Sequence, residues 1–155
     1  MTHKIRTGIL TISDRGYRGK YRDLSGPVIR ELVTERLASV AKAEVIVELE
    51  AIVPDEREII AGTLLTWADE EELDLVLTTG GTGFAPRDVT PEATRDVIER
   101  EASGLAEAMR AASLRITPHA MLSRAVAGIR GRTLIVNLPG SPKAVRENLE
   151  TILPA

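Results

Sequence analysis

Short apolar runs alternate along this chain with longer segments in which apolar residues recur every three to four positions. The runs are rich in aliphatic residues and end at Gly, Pro or polar residues, which predicts buried strands at 5–12, 45–53, 73–79 and 133–138. The periodic segments between them predict amphipathic helices. Strands alternating with helices at this spacing predict a three-layer α/β fold: a mostly parallel sheet with helices on both faces.

The helix starts are marked by residues that favour capping. Ser25 and Thr90 each stand near a Pro of the first turn and are predicted N-caps, and Ser141 is predicted to cap the last helix. Asp55 lies three residues before Glu58, which is the spacing of a capping box. The polar segment 13–24 is predicted to be a loop that leaves the first strand.

The pattern marks the elements of the second half of the chain less sharply. The helix that begins at Thr90 is predicted to run to about Glu101, and another is predicted from Leu105 to Ser113. The segment 119–131 fits either a strand or a helix, and Gly128 and Gly131 within it favour a strand followed by a turn.

Length and composition predict one folded domain over residues 1–155. A chain of this length is typical of a single domain. Its 43% hydrophobic and 28% charged residues and mean hydropathy of −0.02 exclude the disordered and fibrous classes.

Residue usage excludes several kinds of chemistry. With no Cys, and only His3 and His119, the chain has no disulfide, thiol nucleophile or plausible imidazole metal site. The net charge of −3 and four aromatic residues do not indicate a nucleic-acid partner. No apolar run approaches membrane-spanning length, and the N-terminus lacks a signal-peptide pattern, so we expect no membrane partner and a cytoplasmic protein.

Four loops are predicted to meet at one edge of the sheet. In open α/β sheets ligands bind beyond the carboxyl ends of the strands, where this chain places loops 13–26, 53–56, 79–88 and 137–142. The third contains Thr79, Gly80, Gly81, Thr82 and Gly83, and closely spaced glycines allow backbone N–H groups to face an anion. It lacks the Gly-Lys-Ser/Thr of a Walker A motif, and a turn that only requires glycine is the competing interpretation.

Two carboxylates in these loops are candidates for metal binding. Asp88 precedes a helix N-terminus and Asp55 has the spacing of an N-cap, so each has an ordinary structural explanation. Two carboxylates on neighbouring strand-end loops beside a phosphate cradle also form the arrangement in which Mg²⁺ is held against a nucleotide. Their placement therefore favours a functional role for both residues over a purely structural one.

Taken together, the motifs resemble those of the MogA/MoaB family, the molybdopterin adenylyltransferases of molybdenum-cofactor biosynthesis, which include the equivalent domains of fusion proteins such as gephyrin. The similarity extends over nearly the whole chain. It depends on segments that follow the family order: 11–14, 23–27, 53–56, 77–94, 121–124 and 137–142.

The resemblance implies a homotrimeric α/β enzyme that joins molybdopterin to AMP from ATP and releases pyrophosphate, with hand-over of the product to a molybdotransferase. It implies that Asp55 and Asp88 are the catalytic acids and hold Mg²⁺, while the glycine loop holds the nucleotide. Arg87 is expected to stabilise charge at phosphorus, with Arg15 as a further candidate anion contact. The other expected nucleotide- or molybdopterin-binding residues are Ser13, Asp14, Ser113, Asn137, Pro139, Gly140 and Ser141.

Two alternatives stay open at this point. The nearest is a molybdotransferase-like domain of the same fold, which usually lies within a longer chain. The other is a non-catalytic molybdopterin-binding or scaffold protein, and the presence of both Asp55 and Asp88 argues against it, since a pure binder of an anion gains nothing from facing carboxylates.

Overall fold

The computed structural model describes residues 3–155 and contains one six-stranded sheet. The strands are β1 (Lys4–Ile12), β2 (Glu44–Val53), β3 (Leu75–Thr79), β4 (Arg100–Glu101), β5 (Ala127–Arg130) and β6 (Thr133–Leu138). Their order across the sheet is β2-β1-β3-β6-β5-β4. The four long strands β2, β1, β3 and β6 pair in parallel, whereas β5 runs antiparallel to β6 and β4 antiparallel to β5. The parallel strands therefore end at one edge, where their loops meet.

Helices cover both faces of the sheet, which confirms the three-layer α/β prediction. They are α1 (Asp14–Tyr17), α2 (Ser25–Leu32), α3 (Ala38–Ala41), α4 (Arg57–Leu65), α5 (Thr90–Val97), α6 (Ser103–Leu114) and α7 (Pro142–Ile152). π-helical turns continue α2 and α4 over Val33–Leu37 and Thr66–Glu70, and a 3-10 turn spans Pro118–Leu122.

Each face of the sheet has its own hydrophobic core. On one face, Ile29 of α2, Met109 of α6 and Leu149 of α7 pack on the sheet. On the other, Leu64 of α4 and Val97 of α5 pack on it together with Trp67 from the adjoining π-helical turn. Two separate apolar layers pack against the strands, one on each face of the sheet. The loops at the carboxyl edge are therefore attached to closely packed strands.

The strands agree with the prediction to within two residues at each end, but three of the four predicted caps are wrong. The side chain of Asp23, not Ser25, accepts from the first N–H groups of α2, and the Ser25 hydroxyl donates elsewhere. Thr90 is the first residue of α5 and its hydroxyl donates to the Gly80 carbonyl. Asp55 does not cap α4, which begins at Arg57 without a side-chain cap.

Some other observed boundaries also differ from the predicted ones. Helix α5 ends at Val97, short of the predicted Glu101, because the following segment forms the edge strand β4. The predicted loop 13–24 contains α1, capped by Ser13. The ambiguous segment 119–131 contains the strand and turn that its glycines favoured, and Ser141 caps α7 as predicted. Within residues 3–155, no helix has the length and apolarity needed to cross a membrane.

Gly8 gives a direct test of how tightly the second core is packed. A Cβ at Gly8 would lie 2.7 Å from the Trp67 ring and 2.8 Å from Leu73. We expect Gly8→Ala to lower the free energy of unfolding by about 1–3 kcal/mol, because an added methyl forces the buried Trp67 and Leu73 side chains to shift. Gly62→Ala is the matched control, since Gly62 lies within α4 and a Cβ there meets nothing within 4 Å. It should stabilise by about 0.5–1 kcal/mol, and equal effects of the two substitutions in urea unfolding would contradict this description of the core.

Candidate functional site

The four loops predicted to converge are joined by hydrogen bonds across the carboxyl edge of the sheet. The Thr79 hydroxyl donates to the Pro139 carbonyl at 2.6 Å, and the Gly80 N–H donates to the Leu138 carbonyl at 3.2 Å. The Ser25 hydroxyl donates to the Gly140 carbonyl at 2.7 Å. The glycine loop is thus held to the loop after β6, which in turn is held to the start of α2.

The glycine loop, residues 79–88, requires glycine at its first two glycine positions. Gly80 and Gly81 have φ of 101° and 69°, in the left-handed region that side chains avoid. A Cβ on Gly80 would collide with the Ile12 carbonyl oxygen, and one on Gly81 would collide with the Thr90 hydroxyl and lie 3.2 Å from Asp55 Oδ1. The backbone here is therefore packed directly against the ends of β1 and α5.

This loop offers a run of backbone donors. Among the described residues, the N–H groups of Gly81, Thr82, Gly83 and Phe84 donate to no protein acceptor. Thr82 is only 6% exposed, and an unpaired N–H group at a buried position is costly unless a ligand or water accepts from it. Successive free donors in a glycine loop suit a phosphate, which supports the cradle predicted from the sequence.

Asp14 and Asp55 join the loops after β1 and β2 by a reciprocal pair of hydrogen bonds. The Asp14 N–H donates to Asp55 Oδ2 at 2.9 Å, and the Asp55 N–H donates to Asp14 Oδ1 at 3.0 Å. Arg87 of the glycine loop then donates to both Asp14 oxygens, from Nε at 2.6 Å and Nη2 at 3.0 Å. The bond to Arg87 lowers the pKa of Asp14 from 3.8 to about 2. Asp14 therefore stays ionised at neutral pH.

Asp55 has the opposite electrostatic setting. Burial raises its pKa, and the neighbouring charges of Asp14 and Asp88 raise it further, although the hydrogen bond from the Asp14 backbone acts against them. A carboxylate in this position gains from a nearby cation. Asp88 is the last residue of the glycine loop. Its Oδ2 accepts from the Ala85 N–H at 2.9 Å and would be 2.9 Å from a Cβ on Gly83.

The two carboxylates suit a divalent cation whose remaining coordination positions are filled by ligands from outside the protein. Oδ1 of Asp55 and Oδ1 of Asp88 accept no hydrogen bond from the described residues, and carboxylate oxygen is the donor type that Mg²⁺ prefers. Within residues 3–155, no group of three or more His, Asp or Glu side chains could hold a metal ion by itself. Mg²⁺ sites with one or two protein carboxylates and substrate phosphates have this composition.

The side chain of Asn137, one of the expected binding residues, is fully engaged within the protein. Its side chain is buried, and both amide hydrogens are used, toward the Thr78 and Thr94 hydroxyls at 3.1 and 2.9 Å. Its Oδ1 accepts from the Val126 N–H at 3.1 Å. Asn137 therefore ties β6 to β3, to α5 and to the segment before β5, and has no free hydrogen for a ligand.

The remaining expected residues divide into supports and cavity walls. Ser13 Oγ accepts from the Gly16 N–H, and Ser141 Oγ from the Ala144 N–H, so both serve as helix caps. Ser113 lines a cavity of about 250 Å³ beside the glycine loop and accepts a hydrogen bond from the Asn148 amide. Arg87 is paired with Asp14 through Nε and Nη2, and its Nη1 makes no hydrogen bond within the described chain.

Arg124 is a residue whose role the sequence did not reveal. Its guanidinium donates to the Gly83 carbonyl at 2.8 Å, to the Asp88 carbonyl at 2.7 Å and to both carboxylate oxygens of Glu92. It therefore holds both ends of the segment that carries Asp88. Arg124 lies in segment 121–124, which belongs to the family resemblance, but a motif does not indicate which groups its arginine contacts.

The Arg87–Asp14 pair can be tested through the titration of Asp14. We expect Arg87→Gln to raise the pKa of Asp14 from about 2 toward 3.8, as followed by NMR. A folded-state pKa below the unfolded value stabilises the fold above the unfolded pKa, and this contribution is lost as pH falls from about 4 to about 2. The variant should lose less stability over that interval.

Arg57→Gln is the matched control, because Arg57 forms a similar exposed, bidentate pair with Asp96. It should leave the Asp14 titration unchanged. An Asp14 pKa that stays near 2 without Arg87 would contradict the assigned cause.

Comparison with known proteins agrees with this geometry. Residues 8–155 match the model of a family described as a probable molybdopterin binding domain. The chain is 48% identical over 151 residues to the molybdopterin adenylyltransferase of Helicobacter pylori strain J99, covering 97% of this chain and 83% of that protein. It is 51% identical over 148 residues to the molybdenum cofactor synthesis protein cinnamon of Drosophila melanogaster, of which it spans only 24%.

Solved structures give the same result. The crystal structure of the molybdopterin biosynthesis enzyme MoaB from Thermus thermophilus matches with a TM-score of 0.87 and 55% identity, over 97% of this chain and 90% of that one. MoaB from Pyrococcus furiosus, described as a tungsten cofactor synthesizing protein, matches with a TM-score of 0.80 and 35% identity, over 98% and 92% of the two chains. The chain therefore belongs to the molybdopterin-binding domain family of molybdenum cofactor biosynthesis.

Proposed function

We propose that this protein is a molybdopterin adenylyltransferase, which transfers AMP from ATP to the terminal phosphate of molybdopterin and releases pyrophosphate. The observation that supports this best is that the Asp55 and Asp88 carboxylates lie beside Gly81 and Gly83 of the glycine loop, whose N–H groups have no acceptor among the described residues. The adenylyltransferases of Helicobacter pylori and Escherichia coli, 48% and 46% identical to this chain, provide the activity by similarity.

The reaction asks the protein to position two polyanions more than to supply a nucleophile. A phosphate oxygen of molybdopterin forms a bond to the α-phosphorus of ATP, while the bond from that phosphorus to the departing pyrophosphate breaks. Free N–H groups of Gly81 to Phe84 hold phosphate oxygens in line, and Arg87 Nη1 provides a further donor. Because the attacking group is already a phosphate oxygen anion, no side-chain base is needed.

Asp55 and Asp88 are the residues that would hold Mg²⁺, which when bound neutralises triphosphate and pyrophosphate charge. Without a cation, the carboxylates of Asp14, Asp55 and Asp88 would face the incoming phosphates, and of these three only Asp14 has a salt bridge, to Arg87. Asp14 contributes by fixing the position of Asp55 through their reciprocal hydrogen bonds.

Assembly and location extend this proposal. The resemblance implies a homotrimer that passes its product to a molybdotransferase. In cinnamon and in Dictyostelium gephyrin the matching region is 24% and 21% of a longer protein, so relatives of this domain occur joined to further chain. A non-catalytic molybdopterin-binding protein, the alternative function, is not favoured, because it leaves the paired carboxylates without a role. The cytoplasmic location stays a prediction.

Neutralising either acid tests the catalytic assignment. We expect Asp88→Asn and Asp55→Asn each to reduce adenylyl transfer by about 100-fold or more, since the charge that holds the cation is removed while side-chain size is kept. Transfer is measured with purified protein, molybdopterin, ATP and Mg²⁺, alongside thermal stability. Glu58→Gln, in the exposed first turn of α4, is the control and should retain activity. Full activity in either Asn variant would remove that residue from the mechanism.

A Cβ in the phosphate cradle tests the nucleotide site. We expect Gly81→Ala to weaken ATP binding by at least about tenfold in calorimetry, because the methyl displaces the Thr90 hydroxyl and crowds Asp55. Gly131→Ala is the matched control: Gly131 also has a positive φ, of 55°, but a Cβ there meets nothing within 4 Å. Gly131→Ala should lose about 1–2 kcal/mol of stability because of its positive φ, and Gly81→Ala should lose more, because it also displaces the buried Thr90 hydroxyl. For Gly81→Ala, ATP affinity is therefore measured at a temperature at which the variant is folded. Only Gly81→Ala should lose ATP affinity, and equal affinities would exclude the loop as the nucleotide site.

A further inference from the structure

The outer part of the glycine loop, residues 83–88, is an exposed turn that is tied to the rest of the protein at few points. Four of its six residues are exposed, and its internal hydrogen bonds join Ala85 and Asp88 in both directions, at 2.9 Å each. Among the described residues, the hydrogen bonds that join this turn to other parts of the chain involve only two side chains of the turn or its neighbours, those of Arg87 and Arg124. The position of Asp88 therefore depends on two guanidinium groups.

The two guanidinium groups hold the outer turn from opposite directions. Arg87 reaches from the turn to Asp14, beyond the end of β1, whereas Arg124 reaches into the turn from the segment before β5. Strands β1 and β5 lie on opposite sides of β3, the strand from which the glycine loop leaves the sheet. Loss of either contact therefore leaves the turn attached on one side only.

The Arg124 side chain binds both ends of the turn at once. Its Nε donates to the Gly83 carbonyl at 2.8 Å, and its Nη2 donates to the Asp88 carbonyl at 2.7 Å. The Glu92 carboxylate holds the guanidinium in place, since it accepts from Nη1 at 2.6 Å and from Nη2 at 3.2 Å, and these bonds lower the pKa of Glu92. The guanidinium thus forms a planar fork to two carbonyls and a carboxylate, which a lysine ammonium cannot reproduce.

Arg124 acts at a place where two like charges have to be kept together. The Asp55 and Asp88 carboxylates lie close enough for the charge of Asp88 to raise the pKa of Asp55. An exposed turn relieves such repulsion by moving outward, and Arg124 opposes that movement because it holds the Asp88 carbonyl. The Asp88 carboxylate is fixed in turn by its bond from the Ala85 N–H. Both carboxylates are therefore in place before a cation binds.

We propose that Arg124 is a positioning residue for the proposed cation site. Through the carbonyls of Gly83 and Asp88 it fixes the Asp88 carboxylate relative to Asp55, and it thereby sets how strongly Mg²⁺ increases ATP affinity. The proposal rests on the proposed function, because the site that Arg124 supports is the one assigned to the nucleotide. Glu92 has the role of orienting the guanidinium.

The gain in ATP affinity that Mg²⁺ provides tests this role without turnover. Calorimetry gives the ratio of the ATP affinities at saturating Mg²⁺ and in EDTA. We expect Arg124→Ala to lower this ratio about 10- to 100-fold, the usual effect of removing a residue that orients a metal ligand. A variant that had only lost stability would bind ATP more weakly under both conditions, with an unchanged ratio.

Arg124→Lys provides a second variant that keeps the positive charge beside Glu92 and therefore the fold. It should lower the ratio as well, because one ammonium group cannot bind both carbonyls of the turn. A ratio equal to that of the parent in Arg124→Lys would contradict the proposed role of the fork.

Chemical rescue separates the missing guanidinium from a general defect. Millimolar methylguanidinium should restore the Mg²⁺-dependent gain in Arg124→Ala, since it fits the space that the side chain leaves, whereas methylammonium at the same concentration should not. Arg124→Lys should respond to neither compound, because its own side chain fills that space. Equal responses of Arg124→Ala to the two compounds would contradict the assigned geometry.

Arg130→Ala is the matched control, because Arg130 makes the same kinds of contact at the other end of α5. It donates to both carboxylate oxygens of Asp69 and to the Val97 carbonyl, each at 2.9 Å. The variant should lose stability in thermal unfolding but keep the parent's ratio of ATP affinities.

The outcomes separate this inference from the proposed function. A ratio in Arg124→Ala equal to that of the parent overturns the inference even if the parent transfers adenylyl groups. Failure of the parent to form adenylylated product overturns the proposed function, whereas a Mg²⁺-dependent gain in ATP affinity that is lost in Arg124→Ala and restored by methylguanidinium would still support Arg124 as the positioning residue.

Discussion

The site depends on one interaction between backbone and side chains at the ends of the first two strands: the reciprocal hydrogen bonds of Asp14 and Asp55. Each residue donates its N–H to the other's carboxylate. This brings two like charges together, and the position of each side chain depends on that of the other. Arg87 offsets part of the repulsion by binding both oxygens of Asp14. Because Arg87 belongs to the glycine loop, the same contact sets where that loop lies relative to Asp55.

The glycine loop is in turn held by close packing of backbone against backbone. Gly80 lies against the Ile12 carbonyl at the end of β1 and donates to the Leu138 carbonyl at the end of β6. A loop fixed at this distance from both neighbouring strands has little freedom to rearrange. The N–H groups of Gly81 to Phe84, which have no acceptor among the described residues, are therefore held in place before any anion binds, which is what a preorganised anion site requires.

Much of this architecture could be predicted from the sequence, because apolar periodicity reports which residues are buried. The parallel strands and the edge where their loops meet follow from it. The capping predictions were less successful, because a Ser, Thr or Asp near a helix start has several backbone groups within reach. Asp55 illustrates this. Its spacing favours a cap of α4, yet its carboxylate accepts a hydrogen bond from the Asp14 N–H, 41 residues away in the chain.

The same limit applies to Asn137 and Arg124. Both belong to segments that the sequence marked as part of the site, but a motif does not tell a ligand contact from a support. Asn137 is used up in joining strands and a helix, and Arg124 in holding the carbonyls of Gly83 and Asp88. Their roles depend on contacts between residues 32 to 59 positions apart in the chain, which local pattern does not report.

The charge balance of the site links cation and nucleotide binding. The carboxylates of Asp14, Asp55 and Asp88 lie beside the proposed phosphate cradle, and burial together with neighbouring charge already raises the pKa of Asp55. Phosphates alone would add to this repulsion, whereas a divalent cation held by Asp55 and Asp88 would turn it into attraction. Whatever free energy the cation contributes to nucleotide affinity, the nucleotide must contribute to cation affinity. A site with only two protein carboxylates, too few to hold a metal ion by themselves, is therefore suited to binding the cation together with its phosphates.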